Sequence, residues 1–193
     1  MSSSRNSTNP PDTPGDAPPR RILAICLDCG DTLADEATEV KDENGVTLHA
    51  NLIPGAGALL HELKRRGYPL ALVADGPAAT FHNILTRHKV YGLFDAFSIS
   101  ELVGVEKPHP QLFLHALEQL RVRREDYGRI LMVGNNLARD IKGANQLGLI
   151  SVWLSWSPRR SHTPADATEV PQFTIATPME LLKVIDEIER RET

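Results

Sequence analysis

Ile22-Leu23-Ala24-Ile25-Cys26-Leu27-Asp28-Cys29-Gly30-Asp31-Thr32 decides the fold, because six apolar residues run unbroken into one carboxylate and a tight turn. An uninterrupted apolar run of that length reads as a strand buried on both faces, which is the signature of a parallel sheet covered by helices. Ligands bind such sheets outside the carboxyl ends of the strands. Asp28 stands at one of those ends and is the leading candidate nucleophile of the chain.

Working outward, comparable apolar runs predict strands at 70–74, 97–99, 130–133 and 151–154, with a weaker one at 173–175. Helical spacing fills the gaps between them. Ala56, Leu59, Leu60 and Leu63 recur on one face and end in Lys64-Arg65-Arg66-Gly67, a basic last turn with a glycine stop. Phe81, Ile84, Leu85 and His88 repeat the pattern, as do Phe113, Ala116, Leu117 and Leu120, then Ile141, Ala144 and Leu147 before Gly148. Thr177-Pro178-Met179-Glu180 is a capping box opening a last helix to about Arg190. Single helices alternating with strands give an α/β class, a three-layer, doubly wound and mostly parallel sheet.

The alternation breaks once, between Leu33 and Pro54. Residues 34–53 centre on Asp42-Glu43-Asn44-Gly45-Val46, and Asn-Gly between extended flanks predicts a β-hairpin, here a flap over the strand ends. The flap is acidic, with Asp35, Glu36, Glu39, Asp42 and Glu43 against Lys41. That charge reads as a solvated hairpin or as tuning of substrate entry.

At 193 residues, 41% hydrophobic and 24% charged, the chain has length for one well-buried core, expected over 21–193. A net charge of -4 gives no electrostatic footprint for nucleic acid or an anionic membrane, which leaves small polar or anionic metabolites as partners. No apolar stretch approaches the roughly 20 residues that span a bilayer. Residues 1–20 hold five prolines and four serines and read as a disordered tail. No apolar signal segment is expected there, so the sequon Asn6-Ser7-Thr8 reads as idle and the location as cytoplasmic. Cys26 and Cys29 have C-x-x-C spacing, but on a strand, side chains three apart point to opposite faces, so they read as structural free thiols.

Three further polar points follow the apolar runs or helices: Asp75-Gly76, Lys107-Pro108, and Gly134-Asn135-Asn136 with Asp140. With Asp28 they resemble, in order and spacing, the four signatures of the haloacid dehalogenase (HAD) superfamily of hydrolases. The resemblance implies that Asp28 attacks a phosphoryl group to form an aspartyl-phosphate that water then cleaves, and that Lys107 pairs with this nucleophile. It implies Mg²⁺ held by Asp28, the carbonyl of Gly30, and Asn135 and Asp140. It puts Thr32, Ala74, Asp75 and Gly76 against the substrate, with the backbone N–H groups of Ala74, Asp75 and Gly76 open to an anion at the start of the next helix. His109 replaces an Asp in the Lys107 segment and reads as a helix-start residue. The insertion is too short for a helical cap, which implies a capless or minimally capped site, open to larger substrates or closed by another subunit in a homo-oligomer.

Three further positions depart from the pattern. Gly30 stands where the family carries its acid/base Asp, with an Asp displaced to position 31; Ala74 replaces a hydroxyl; and Asn135 replaces an acid. The implied function is a Mg²⁺-dependent phosphomonoesterase of weakened or altered chemistry acting on a small phosphate ester. The alternatives are a catalytically degenerate binding protein and a dehalogenase, which also lacks the second Asp but keeps a cap that this chain does not have. A phosphorylatable receiver domain puts its acceptor on a later strand. Trp153-Leu154-Ser155-Trp156-Ser157-Pro158-Arg159-Arg160 follows a strand end, and reads as a loop packed by Trp153 or as a contact for an anionic group.

Overall fold

The apolar run ahead of Asp28 forms β1 over Ala24–Leu27, the central strand of the sheet. The computed structural model describes residues 20–190; apart from Arg20, the tail expected over 1–20 and its sequon lie outside them. Expected from Ile22, the strand starts two residues later. Ile22 N–H donates to Glu189 Oε1 (3.2 Å) instead of to a neighbouring strand, although the Ile22 side chain is fully buried.

After β1 come the hairpin strands β2 (Val40–Lys41) and β3 (Thr47–His49), then α1 (Ala56–Arg65), β4 (Leu70–Ala74) and α2 (Ala78–Arg87). The chain continues through β5 (Ala96–Ile99), the single turn α3 (Ser100–Val103), α4 (Pro110–Gln119) and β6 (Ile130–Gly134). It closes with α5 (Lys142–Leu147), β7 (Ile150–Leu154), β8 (Phe173–Ile175) and α6 (Leu181–Arg190). The main sheet runs β5-β4-β1-β6-β7-β8, parallel at each pairing. The order reverses at β1, so the crevice of a doubly wound sheet opens at its carboxyl end, directly at Asp28.

Strand alternation splits the core into two layers. Ile25 and Leu27 pack on one face with Leu59, Leu60 and Leu63 of α1, Ile84 of α2 and Ile185 of α6. Ala24 and Cys26 pack on the other with Leu112, Phe113 and Ala116 of α4 and Ala144 of α5. Cys29 lies in the first layer and Cys26 in the second, so the C-x-x-C sulfurs are on opposite sides, buried and free.

The Asn-Gly signal does produce a hairpin. Asp42 organises its turn, accepting from Asn44 N–H and Val46 N–H through Oδ1, each at 2.9 Å, while β2 pairs antiparallel with β3. Thr47 N–H donates to Thr80 Oγ1 (2.9 Å) and Asn83 Nδ2 to Thr47 O (3.0 Å), so the hairpin is tied to α2. The capping residues ahead of α6 form one short helical turn before it, with Glu180 Oε2 accepting from Ala176 N–H at 2.7 Å.

Candidate active site

Asp28 is set by the sheet: its N–H donates to Val133 O of β6 at 2.9 Å, fixing the first residue beyond β1 while its side chain turns into a cavity of about 370 Å³. Lys107, from the loop before α4, enters from the other wall. Its Nζ donates to Asp28 Oδ1 at 2.6 Å, Asp140 Oδ1 at 2.7 Å and Val73 O at 2.9 Å, which uses all three ammonium protons. The Lys107 side chain is 2% exposed and that of Asp140 1%, so the ion pairs are shielded from water. Thr32 Oγ1 donates to the other Asp28 oxygen at 3.1 Å.

Asp140 reaches this point through a turn of π-helix over Leu137–Ile141, in which Asn136 O accepts from Asp140 N–H at 2.8 Å and Ile141 N–H at 3.3 Å. Such turns are rare and occur often at functional sites. Asn136 N–H donates to Asp140 Oδ2 at 2.9 Å. Gly134 makes the arrangement possible, because a Cβ there would overlap the Asp140 carboxyl.

Two carboxylates share one ammonium. Burial alone would depress the Lys107 ammonium, but Asp140 and then Asp28 hold it above the ordinary lysine range. Burial outweighs Lys107 at Asp140 and, with the charge of Asp28, holds that carboxyl above the ordinary carboxylate range. Ionised together, the two carboxylates outnumber the one ammonium that meets them.

The structure thus brings together Asp28, Lys107, Asp140 and Asn135. Asp75 and Gly76 line the same cavity, and several polar groups of the remaining positions already have partners. The Thr32 hydroxyl is spent on Asp28. Asp75 accepts from Lys107 N–H at 3.0 Å through one oxygen and pairs with Arg139 at 3.0 Å through the other, so it braces the lysine loop. Gly76 N–H, expected to be open to an anion, donates to Ser100 Oγ at 2.9 Å, and Ala78 N–H at the start of α2 donates to Glu101 Oε2 at 2.8 Å. A bound anion must displace those partners, while Ala74 contributes backbone only to β4. His109 is the N-cap of α4, as its position suggested.

Asp31 is fully buried with φ at 52° and is turned away from Asp28. Ser157 Oγ donates to its Oδ2 at 2.8 Å, Arg159 Nε to the same oxygen at 2.8 Å, and Arg159 donates again through its second nitrogen to Oδ1. Burial would raise this carboxyl, but the bonds from Arg159, Ser157 and Glu36 N–H together hold it below its ordinary value. The arginine loop after β7 is thereby assigned: Arg159 locks Asp31, Arg160 lies 3.5 Å from Glu36, and Trp153 Nε1 donates to Asn135 O at 2.9 Å.

Among the described residues, no group of three or more His, Cys, Asp or Glu side chains gathers as a metal cage. Mg²⁺ does not require one, since it keeps several waters and takes one or two carboxylates. The residues here fit it: Asp28 and Asp140 are hard oxygen donors with uncompensated charge, and the buried Asn135 amide beside them has no partner for its nitrogen. Turned over, that amide presents its oxygen to a cation.

A protein-family model for haloacid dehalogenase-like hydrolases matches residues 25–148. The chain belongs to this family. It is 35% identical over 129 residues to a glyceraldehyde 3-phosphate phosphatase of Methanopyrus kandleri, covering 67% of this chain and 54% of that protein. It is 35% identical over 129 residues to a phosphoserine phosphatase of Thermus thermophilus, covering 64% and 47%. The chain spans about half the length of the curated relatives it matches. Among solved structures, a HAD phosphatase from Thermococcus onnurineus superposes with a TM-score of 0.61 at 28% identity, over 70% of this chain and 59% of that one. The HAD-hydrolase YfnB from Bacillus subtilis, bound to magnesium, gives 0.71 over 86% of this chain and 100% of that one, where 18% identity speaks for the fold alone.

Within this HAD-like frame, the sequence assigned no role in the site to Arg139, placed Gly134 only within its signature and read Glu36 only as part of the acidic flap. Only Gly134 carried a signal, as a glycine closing a buried strand. The other two line the cavity through packing that spacing does not encode.

Proposed function

We propose that this HAD-like chain is a Mg²⁺-dependent phosphomonoesterase that works through an aspartyl-phosphate on Asp28. The observation that carries it is the Asp28 carboxylate at the switch point of the sheet, oriented by Lys107 at 2.6 Å and Thr32 at 3.1 Å and facing a cavity. A carboxylate so held is aimed, and it divides one difficult displacement into two easier ones. Mg²⁺, held by Asp28, Asp140, Asn135 and the carbonyl of Gly30, would supply neutralisation of phosphoryl charge.

Asp28 attacks phosphorus as the ester oxygen leaves, and the phosphoryl group stays on Asp28 until water displaces it. Lys107 orients the attacking oxygen and neutralises charge as it develops. Arg139, half exposed on the rim and paired with Asp75, offers a second cation to the phosphoryl oxygens.

The cavity suits a small ester, and the named relatives act on glyceraldehyde 3-phosphate and phosphoserine. We assign the substrate to that class of small-metabolite phosphates. The flap contributes Glu39, Lys41, Gly45 and Thr47 to the wall opposite Asp28, the place of a small built-in cap. Among the described residues no helix is long and apolar enough to cross a membrane, and we place the reaction in the cytoplasm.

The test is a phosphate-release assay over a panel of small phosphate esters with and without Mg²⁺, with Asp28→Asn as control. Metal-dependent release that Asp28→Asn abolishes is the expected result. A chain that binds esters without turnover would be the degenerate binding protein instead.

A further inference from the structure

Gly30 and Glu36 compete for one volume. A Cβ built on residue 30 would overlap Glu36 Oε1 and lie 3.0 Å from Glu36 Cδ, so the space into which a side chain two residues beyond Asp28 would project is filled by the Glu36 carboxylate. Gly30 is not among the positive-φ glycines, so its backbone would admit a side chain, and what such a side chain would meet is the flexible end of Glu36.

The Glu36 backbone is held there by its surroundings. Glu36 begins a turn of 3-10 helix, Glu36–Thr38, capped by Asp35, whose Oδ1 accepts from Ala37 N–H at 2.9 Å. Glu36 N–H donates to Asp31 Oδ1 at 3.1 Å, and Asp31 is locked by Ser157 and Arg159. Arg160 approaches the outer oxygen, Oε2, at 3.5 Å, leaving Oε1 toward Gly30. Glu36 lines the same cavity as Asp28, Lys107 and Asp140.

We propose that Glu36 is the proton donor and acceptor of the hydrolysis, replacing from six residues further along the chain the side chain that Gly30 lacks. The inference rests on the phosphomonoesterase reading above. In the first half-reaction the bond from Asp28 oxygen to phosphorus forms, the bond from phosphorus to the ester oxygen breaks, and the Glu36 carboxyl proton passes to that oxygen, releasing an alcohol. In the second, the Glu36 carboxylate takes a proton from water as water oxygen bonds to phosphorus and the bond to Asp28 breaks, releasing inorganic phosphate and returning Glu36 to its protonated form. Asp31 takes no part, because its oxygens are engaged by Ser157 and Arg159.

The test compares an alkyl phosphate, glycerol phosphate, with p-nitrophenyl phosphate, whose leaving group departs without a proton, in the wild type, Glu36→Gln, Glu36→Ala with Gly30→Asp, and Asp28→Asn. Gln fills the same space without a transferable proton, so Glu36→Gln should lower kcat/KM, which reads the ester-cleaving half-reaction alone, by on the order of 10²-fold on the alkyl ester, and by roughly ten times less on the aryl ester. The double variant returns a carboxylate to the vacated volume and should recover part of the alkyl rate relative to Glu36→Ala alone, which is assayed beside it. If Glu36→Gln slows neither ester, or both equally with an unchanged ratio, Glu36 only fills space and the inference falls while the reading stands. If Asp28→Asn keeps wild-type activity, or no ester is turned over, the phosphomonoesterase reading falls and takes the inference with it.

Discussion

Asp31 and Arg159, 128 residues apart, form a two-point ion pair that ties the turn after β1 to the loop after β7. The carboxylate is fully buried and the guanidinium about one-third exposed, so solvent weakens the pair from the arginine side only. Arg159→Ala leaves the Asp31 charge with Ser157 Oγ and Glu36 N–H and should cost about 2 kcal/mol. That corresponds to a fall in Tm of roughly 4–8 °C for a chain of this size, read by thermal denaturation. Arg159→Lys cannot make the two-point contact and should recover only part of it.

Lys107 balances two carboxylates at once, which makes its removal more damaging than that of an ordinary lysine. Lys107→Ala should destabilise the fold by about 3–5 kcal/mol by leaving Asp28 and Asp140 buried and facing each other. Adding Asp140→Asn removes one of the stranded charges. The double variant should therefore be more stable than Lys107→Ala alone, a non-additivity that urea denaturation of the four proteins of the cycle would show or deny.

Asn135 stands where a second acid would give the cluster another metal ligand, and its amide nitrogen has no partner. Asn135→Asp should tighten Mg²⁺ binding by about tenfold, because a charged hard oxygen replaces a neutral one. Isothermal titration with Mg²⁺ reads this directly. Equal or weaker affinity in the variant would remove residue 135 from the ligand set.

Burial pushes the Cys26 thiol up to about 12, and that of Cys29 is raised further by burial and the charge of Asp28. Neither has meaningful thiolate at neutral pH. Native protein should be inert to a thiol-reactive disulfide reagent and should yield both thiols once unfolded. Fast labelling of the folded protein would contradict their placement in two separate core layers.

The architecture was legible because its strands are buried on both faces. Runs such as Leu70–Ala74 have no competing pattern, and single helices between them leave few topologies. Ends were less so: the strand expected from Ile22 begins at Ala24, where loop bonds to Glu189 replace strand pairing. The positions of Asp28, Lys107 and Asp140 were also readable, since strand ends and chain order converge on one edge. What spacing could not carry is which hydrogen bonds are already spent. Gly76 N–H goes to Ser100 at the start of α3 and Asp31 goes to Arg159 in the loop after β7, and both depend on an approach set by tertiary packing. The same holds for Glu36, whose carboxylate meets Gly30 only because the turn between them folds back on itself.

The account turns on Asp28 as the group that takes the phosphoryl. Acid quenching of the chain during turnover of a phosphate ester with Mg²⁺, followed by intact-protein and peptide mass spectrometry, measures this most directly. The predicted result is the mass of one phosphoryl group on the peptide containing Asp28, removed by hydroxylamine as expected of an acyl phosphate and missing from Asp28→Asn. Continued turnover by the Asp28→Asn protein, or a phosphoryl group found on another residue, would contradict the assignment.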